Sequence, residues 1–384
     1  MHILFISKNF PPAVCGVGDY TFQLAKEFIK NGHAVTVLTQ KTDNTIAVQG
    51  MNILPVISSW NIKAVFKIAA ICKTVKPDYI SMQYVPYSFN AKGMPFWLIL
   101  LYMVLKIKGF KIVTTFHEVG IRYTAKSFKR KIIAAAQFFI ARILSRYSFK
   151  NITSIDLYVN YLKRYTDAVF KIPVGANILP YTVDSSTISQ LRNTIAHPES
   201  FILSTFGTRI SDTILMAFAE VKKQHPDTVL IILGNIPKAT KQHFTSKSQE
   251  LGIDASIHIT GYLSDEALYT HLKLSSLFVM AEYVSEKGEG GIATKSGSLA
   301  AAFAAGIPVL GTRGDTTDAV FRDNENIFLM NDYSVDQTAK RISEIINNQA
   351  WLQTIAAEAR KTFASEFSWE KIYERYWEVY SMPD

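Results

Sequence analysis

The sequence predicts an α/β protein built from two doubly wound domains, and three observations carry this prediction. The chain has 384 residues, which is too long for one ordinary hydrophobic core, because domains typically hold about 100–200 residues. Short apolar runs rich in Val, Ile, Leu and Phe alternate with helical patterns, as in sheets of parallel strands. The same alternation begins again near residue 200. We therefore expect two Rossmann-like domains in tandem.

In the first half, strand-like runs alternate with helical patterns. The strand-like runs are His2–Ser7, Ala34–Thr39, Asp78–Met82 and Lys111–Thr115. The helical patterns are Asp19–Asn31, Ile62–Val75, Pro95–Lys108 and Ser127–Tyr147. Each apolar run ends in a polar loop, as expected of strands that are buried on both faces. Strand–helix–strand units of this kind form parallel sheets with right-handed crossovers.

The second half repeats the pattern. Its strand-like runs are Phe201–Phe206, Thr228–Leu233, Ser256–Thr260, Leu277–Met280 and Pro308–Gly311. Its helical patterns are Asp212–Gln224, Lys238–Gly252, Asp265–Leu274 and Ser298–Ala305. We expect an N-terminal domain over residues 1–178, a polar linker over 179–199 and a C-terminal domain over 200–367. The aromatic segment 368–384 predicts a final helix that either packs locally or crosses back to the first domain.

Charge is distributed unevenly along the chain. The net charge is +9, but residues 1–178 hold 23 Lys and Arg against 7 Asp and Glu. This imbalance predicts an anionic partner for the first half. No nucleic-acid-binding motif is present, so we expect a membrane surface or a phosphate-bearing lipid acceptor; solvated helix faces are the alternative. The interleaved apolar and basic residues are Phe96, Trp97, Lys106, Lys108, Arg122, Lys126, Lys129, Arg130 and Lys131.

The longest apolar run is Met94–Leu105, which is shorter than the roughly 20 residues of a membrane span. We expect either a buried helix or a helix that enters a bilayer surface. The two cysteines, Cys15 and Cys72, form no disulfide framework and no metal-ligand spacing. The first residues lack the apolar length of a signal peptide. These features predict a cytoplasmic, metal-free protein, either fully soluble or peripheral on the inner membrane face.

Two segments of the first half carry candidate functional residues. Gly16 and Gly18 precede a helical pattern, and the amide groups at a helix N-terminus attract phosphates and other oxyanions. A tight turn is the alternative explanation. His117 follows a buried strand at its carboxyl end, where doubly wound folds place functional groups. The alternative is a packed histidine with a satisfied hydrogen bond.

Four segments, in order along nearly the whole chain, resemble retaining GT-B glycosyltransferases of family 4. They are Pro11–Thr39, Thr115–Glu118, Ile172–Asn177 and Ala304–Val309. The resemblance implies two Rossmann-like domains facing a central cleft. It implies a hexosyltransferase that moves a sugar from a nucleotide-sugar donor to a glycan or lipid-linked acceptor in polysaccharide biosynthesis. It also implies that His117 contacts the region of the donor sugar.

The resemblance assigns a second set of residues to the donor diphosphate. Family members place an Arg and a Lys after the first strand of the second domain, where they stabilise the charge on the leaving diphosphate. Arg209, which follows Gly207, matches the arginine, whereas Ser211 and Asp212 stand near the place of the lysine.

A Gly-rich stretch before the helical pattern Ser298–Ala305 supplies a further cation. Lys295 can reach a diphosphate while backbone amides cap it, and some family members show a similar basic-x-Gly-Ser segment. A flexible surface loop is the alternative. The candidate donor-binding residues of this stretch are Gly291, Ser296, Gly297 and Ser298.

The paired glutamates of the family are missing. Counting back from Gly306 places Ala301 and Ala293 at the two glutamate positions. Glu289, in the loop before them, is either a displaced ribose or sugar ligand or a solvated side chain.

The sequence thus predicts a retaining transferase with a UDP- or GDP-linked donor and neither cofactor nor metal. A GT-B-like protein that binds a nucleotide sugar or glycan without turnover is the main alternative, because the glutamates and the lysine are missing. Another GT-B reaction, that of an epimerase or a phosphorylase, is the third. A phosphorylase needs a pyridoxal phosphate lysine, and none is identified.

Overall fold

The computed structural model describes residues 1–122 and 127–383; Lys126, one of the basic residues named above, lies outside them. The chain forms two compact units. Unit 1 comprises Met1–Val174 together with Trp369–Asp384, and unit 2 comprises Gly175–Ser368. Each unit contains a parallel sheet with flanking helices, so the predicted α/β class is confirmed.

Unit 1 contains the first seven strands. They are β1 (His2–Ile6), β2 (Ala34–Gln40), β3 (Met51–Ile57), β4 (Tyr79–Tyr84), β5 (Ile112–Phe116), β6 (Lys150–Thr153) and β7 (Val169–Lys171). Its helices are α1 (Gly16–Lys30), α2 (Ile62–Val75), α3 (Pro86–Phe89), α4 (Trp97–Ile107), α5 (Phe128–Tyr147), α6 (Asp156–Leu162) and the last helix of the chain, α14 (Trp369–Ser381).

All paired strands of unit 1 run parallel, in the order β3-β2-β1-β4-β5-β6-β7. Ile3 of β1 pairs with Val35 of β2 on one side and with Tyr79 of β4 on the other. The strand order therefore reverses between β1 and β4. In doubly wound folds, ligands bind at the carboxyl ends of the strands at this switch point.

Continuous burial explains why β1, β2, β4 and β5 were predicted and three other strands were not. In β1, residues 3–6 are fully buried, and such strands appear in a sequence as apolar runs. Strand β3 is an edge strand that contains Pro55, and proline is typical of edges rather than of central strands. Strands β6 and β7 have only 4 and 3 residues, too few for a periodic signal.

Unit 2 contains the remaining strands. They are β8 (Ile202–Phe206), β9 (Val229–Leu233), β10 (Ile257–Ile259), β11 (Leu277–Met280), β12 (Val309–Thr312) and β13 (Phe328–Met330). Its helices are α7 (Ser185–Ile195), α8 (Asp212–Gln224), α9 (Lys238–Glu250), α10 (Asp265–Leu274), α11 (Gly297–Ala305), α12 (Val335–Ile346) and α13 (Gln349–Thr362).

The sheet of unit 2 is also parallel, in the order β10-β9-β8-β11-β12-β13. Its switch point lies between β8 and β11. Two apolar cores cover the two faces of the sheet, one including Phe278 and Phe303, the other Phe218 and Phe328. Alternate residues of a strand point to opposite faces, so β11 contributes to both cores.

The expected linker over 179–199 is not a bare connection, because it contains α7. Ile188, Leu191 and Ile195 of this helix pack partly buried against the core of unit 2, and no residue of α7 is fully buried. A helix that covers a core with only a narrow apolar edge has a largely polar sequence, so its sequence alone resembles that of a linker. The chain divides instead after Val174 and after Ser368.

The apolar run Met94–Leu105 contributes to helix α4, which is buried on one side as the first alternative expects, while the bilayer alternative stays a prediction. One side of α4 is buried through Leu98, Leu101 and Leu105, while Ile107 at its end is 83% exposed. No helix in the described ranges is long and apolar enough to cross a membrane.

Candidate functional site

The switch point of unit 2 brings together a cation, a carboxylate and a helix N-terminus. Arg209 lies in the loop after β8, and Glu282 is the second residue after β11. The Nη1 group of Arg209 donates a hydrogen bond to Oε1 of Glu282, which forms a half-buried ion pair. Nη2 of Arg209 lies 3.5 Å from Oγ of Ser296. The guanidinium group of Arg209 is therefore directed at the residue that immediately precedes α11.

Sequence reasoning missed Glu282 as a member of this site. Its backbone N–H donates to Oγ1 of Thr312 on the neighbouring strand β12, at 3.0 Å. Burial raises the pKa of Glu282 above its usual value, while the positive charges of Arg209 and Lys295 act in the opposite direction and are smaller effects. The available signal was its position: it is the second residue after a strand at the switch point.

Helix α11 begins where the sequence analysis places a helix end that binds an anion, and the anion binding itself stays a prediction. Ser296 is the N-cap, and its Oγ accepts from the backbone N–H of Leu299 at 3.3 Å. Gly297 and Ser298 are the first two residues of the helix, where backbone N–H groups lack partners within the helix. Lys295, immediately before the cap, is exposed. Lys295 and the first backbone amides of α11 thus lie at the same end of this helix.

Gly297 also packs closely against a polar side chain. A Cβ atom at this position would lie 3.3 Å from Cγ of Asn177. The Oδ1 atom of Asn177 is buried and has no hydrogen-bond partner in the described part of the chain. Asn177 belongs to one of the segments that resemble family 4, so this segment lies beside the start of α11.

The Gly-rich loop before α11 is a folded turn. Gly288, Gly290 and Gly291 all have positive φ angles, and a bridge joins Val284 to Gly290. The backbone N–H of Glu289 donates to Oγ of Ser285 at 3.2 Å. Glu289 therefore helps to close the turn, and its predicted ligand role stays a prediction.

Close packing gives Gly291 a structural role of its own. A Cβ atom there would lie 2.5 Å from the backbone N of Gly314 and 2.7 Å from the backbone O of Thr312. Oγ1 of Thr316 donates to the carbonyls of Gly290 and Gly291 at 2.6 and 2.8 Å. The loop is held against the segment after β12.

The positions of the missing glutamates lie in the core. Ala293 is 3% exposed and Ala301 is 0% exposed. A carboxylate at either position would be buried, and at Ala301 it would lie within an apolar core of unit 2; both are unfavourable without a partner. Gly207 is also explained by packing, since a Cβ atom there would lie 2.6 Å from Cγ1 of Ile236.

In unit 1, His117 lies directly after β5 and is held by neighbouring side chains. Its Nε2 lies 2.9 Å from Oε1 of Gln83 on β4, so Nε2 carries the proton when Gln83 has this amide orientation. The ring of Tyr20 meets the imidazole edge to face, with centroids 4.9 Å apart. Burial lowers the pKa of His117 to about 4, so the ring is neutral at pH 7.

Gly16 and Gly18 lie in the first turn of α1 and form the Gly-x-Gly segment of the sequence. Gly16 is the first residue of the helix and has open space around it, whereas a Cβ atom on Gly18 would lie 2.9 Å from the carbonyl oxygen of Asn9. The N-cap, Cys15, makes no side-chain capping bond. Gly18 is thus required by packing, and Gly16 is the residue that faces open space.

A pocket of about 390 Å³ lies beside this loop, at the carboxyl ends of β1 and β2. Its lining includes Lys8, Asn9, Lys41 and Asn44. Across the described ranges, no three His, Cys, Asp or Glu side chains group in a way that could hold a metal ion.

Two family models match the chain. Residues 210–362 match the model described as glycosyl transferases group 1, and residues 14–149 match the model described as glycosyltransferase family 4. No curated protein matches the sequence.

Solved structures of similar fold extend over almost the whole chain. HepE (Alr3699) of Anabaena, crystallised with UDP and glucose, is 15% identical with a TM-score of 0.71, covering 99% of each chain. Sucrose-phosphate synthase of Thermosynechococcus elongatus is 17% identical with a TM-score of 0.72, covering 99% of this chain and 98% of the other. WaaG, a glycosyltransferase involved in lipopolysaccharide biosynthesis, is 16% identical with a TM-score of 0.70, covering 99% and 100%. These likenesses show the fold.

Proposed function

The chain belongs to the group 1 glycosyltransferases of the GT-B fold, and we propose that it transfers a hexose from a nucleoside diphosphate donor. The acceptor would be a glycan or a lipid-linked molecule, and the configuration of the transferred sugar would be retained. The observation that carries this proposal is the convergence of Arg209, Lys295 and the N-terminus of α11 at the switch point of unit 2. Such a site suits a diphosphate.

The chemistry of glycosyl transfer requires this kind of site. As the bond between the anomeric carbon and the phosphate oxygen breaks, negative charge develops on the leaving diphosphate. Fixed cations and amide donors stabilise that charge because they are already oriented before the reaction. Arg209 points at the N-cap Ser296, and Lys295 precedes it. The two cations and the amides of Gly297 and Ser298 would together hold the two phosphates.

Retention is the expectation that the family resemblance gives. In a front-face reaction the acceptor hydroxyl attacks from the side that the diphosphate leaves, and a phosphate oxygen takes its proton. No protein nucleophile is needed. The protein cations supply the charge stabilisation, so we propose that neither metal nor cofactor takes part.

For the donor we favour a UDP-linked hexose over a GDP-linked one. The Anabaena protein of similar fold was crystallised with UDP and glucose and with UDP-glucose. The segment containing Asn177 and the loop 288–296 border the start of α11 and would lie next to such a donor.

A protein that binds nucleotide sugar without turnover is the second candidate. The first observation that favours it is the ion pair in which Glu282 neutralises Arg209, the residue assigned to the diphosphate. The buried Ala293 and Ala301 add to this, because no carboxylate stands at the family positions.

Proton NMR with a panel of UDP- and GDP-sugars separates these candidates. We expect slow hydrolysis of one donor, with the released sugar appearing first as the anomer that the donor carried. Saturable binding of a donor without any turnover would favour the binding protein. If no donor is bound or hydrolysed, the donor proposal fails.

We also propose that unit 1 binds an anionic membrane surface through helices α2, α4 and α5, with the protein on the inner face of the membrane. Helix α4 packs against both α2 and α5. Phe66, Ile107 and Phe128, one on each helix, are 71%, 83% and 77% exposed. Further exposed apolar residues on these helices and their ends are Ile62, Phe96, Met103, Ile132 and Phe139.

Basic residues accompany these apolar side chains. They are Lys63, Lys67, Lys106, Lys108, Lys129, Arg130 and Lys131. Apolar side chains can enter the boundary between headgroups and acyl chains while basic side chains bind anionic headgroups. A lipid-linked acceptor would then be presented to the unit that holds His117.

A further inference from the structure

The last helix of the chain is built into the buried aromatic interior of unit 1. Tyr376 of α14 is fully buried, and its ring lies 6.5 Å from that of Phe28 on α1. Lys150, itself 5% exposed, donates to the carbonyls of Val379 and Met382 at 2.7 and 2.8 Å. These contacts fix the position of α14 on unit 1.

A chain of buried hydroxyl groups runs from α14 to two other elements. Oη of Tyr20 on α1 donates to Oη of Tyr376 at 2.9 Å, and Oη of Tyr376 lies 2.9 Å from Oγ1 of Thr115 on β5. All three side chains are buried. The hydroxyl of Tyr376 is therefore the common partner of α1 and β5.

Both ends of this chain lie beside His117. Thr115 lies on β5, and His117, two residues later, follows the strand directly and is still bonded through its backbone N–H to the carbonyl of Tyr84 on β4. The two side chains therefore start from the same face of the sheet. The ring of Tyr20 meets the imidazole at 4.9 Å and is backed by Trp369, the first residue of α14, at 5.3 Å. Tyr20 thus separates His117 from α14 and covers one side of it.

We propose that Tyr376 is a positioning residue for His117: by holding Tyr20 and β5 in place, it keeps the imidazole against Gln83 and limits its contact with water. The catalytic consequence rests on the proposed function and on the family resemblance, which assigns His117 to the region of the donor sugar. The positioning itself does not depend on that assignment. The side chains that face the imidazole are Tyr20 from α1 and Gln83 from β4, and Glu118 is its exposed neighbour in the chain.

The direct test is the Tyr376→Phe variant, which keeps the ring and removes the shared hydroxyl. The hydroxyl of Tyr20 then loses its acceptor, the hydroxyl of Thr115 loses its partner, and more water reaches the half-buried imidazole. Burial lowers the pKa of His117 to about 4, and we expect the midpoint of its NMR titration to be about one pH unit or more higher in the variant than in the parental protein. The His117→Gln variant identifies the resonance. In the transfer assay, kcat should fall about ten- to a hundredfold with little change in the donor KM.

A matched control lies on the same helix. Tyr373→Phe also removes a hydroxyl that is bonded to a residue of unit 1, but its partner is Nε2 of His33, at 2.9 Å. This variant should leave the titration of His117 unchanged. If Tyr376→Phe does not fold, Tyr20→Phe removes the same bond from its other end and should raise the same midpoint.

The outcomes separate this inference from the proposed function. An unchanged His117 midpoint in both Tyr376→Phe and Tyr20→Phe would overturn the positioning role, whatever the activity. A raised midpoint in a protein that turns over no nucleotide sugar would support the positioning role and contradict the proposed function. A raised midpoint in Tyr373→Phe as well would show a general loosening of α14 and also overturn the specific role of Tyr376.

Discussion

Glu282 is the carboxylate that offsets the positive charge of Arg209 in the site of unit 2. It forms the ion pair with Arg209, yet burial raises its pKa, so the carboxylate is less stabilised than a solvated one. The sequence indicates Glu289 as the candidate acidic ligand instead, because Glu289 lies in the Gly-rich loop before α11. The pairing of Glu282 with Arg209 joins residues 73 positions apart in the chain, and no local pattern specifies such a contact.

The close packing around Gly291 predicts that a side chain at this position destabilises the fold. Its φ of +86° and the backbone atoms at 2.5 and 2.7 Å leave no room for a side chain. We expect Gly291→Ala to lower the free energy of unfolding by more than about 2 kcal/mol. Gly288→Ala, with a φ of +76° and open space, should cost only about 1–2 kcal/mol. Urea unfolding measures both, and equal losses would show that the packing against Gly314 is unimportant.

His117 gives a residue-scale prediction about acid stability. Its pKa is lowered from 6.5 to about 4 by burial, so protonation favours the unfolded state as the pH falls below 6.5, and the loss is complete below about pH 4. His117→Gln should therefore lose less stability than the parental protein between pH 7 and pH 4.5. Urea unfolding at the two pH values decides, and identical losses in both proteins would contradict the burial of His117.

At the scale of elements, the apolar strands and their alternation with helices were predictable because burial on both faces leaves an unbroken apolar run. Strands β6, β7 and β13, of 4, 3 and 3 residues, were not, since their place is decided by neighbouring strands. Helix α7 was not predictable for a similar reason. Its partly buried Ile188 and Leu191 stabilise it by packing against the core of unit 2, and that core is not visible in the local sequence.

The exposed apolar and basic residues of α2, α4 and α5 predict that the protein binds anionic vesicles. The parental protein should float with anionic vesicles at low ionic strength and release as salt rises, because each Lys or Arg near the surface contributes about 1 kcal/mol that salt screens. Replacing Phe66, Ile107 and Phe128 together with Ser should abolish flotation.

A control for this experiment is the replacement of two exposed tyrosines of unit 2, Tyr262 and Tyr283, with Ser; they are 85% and 70% exposed. This variant should float like the parental protein. A parental protein that stays in the soluble fraction with anionic vesicles at low salt would contradict the membrane proposal, and a soluble acceptor would then be expected.

At the scale of the whole molecule, the doubly wound class followed from length and alternation, and the family from four ordered segments. The site was only partly predictable. Arg209, Lys295 and the start of α11 lie at one switch point, as the resemblance implies, but Gly18, Gly207 and Gly291 are each explained by close backbone or side-chain packing. A sequence shows where glycine stands, whereas only the packed chain shows which atoms approach it.

The central claim is that Arg209 and Lys295 hold the donor diphosphate at the N-terminus of α11. Calorimetric titration of UDP and GDP into the parental protein, Arg209→Ala and Lys295→Ala tests it most directly. Each charged hydrogen bond contributes about 1.5–3 kcal/mol, so each variant should bind the preferred nucleotide about ten- to a hundredfold more weakly. Lys287→Ala, which changes an exposed lysine of the same loop, should bind like the parental protein. Parental affinity in both Arg209→Ala and Lys295→Ala would contradict the claim.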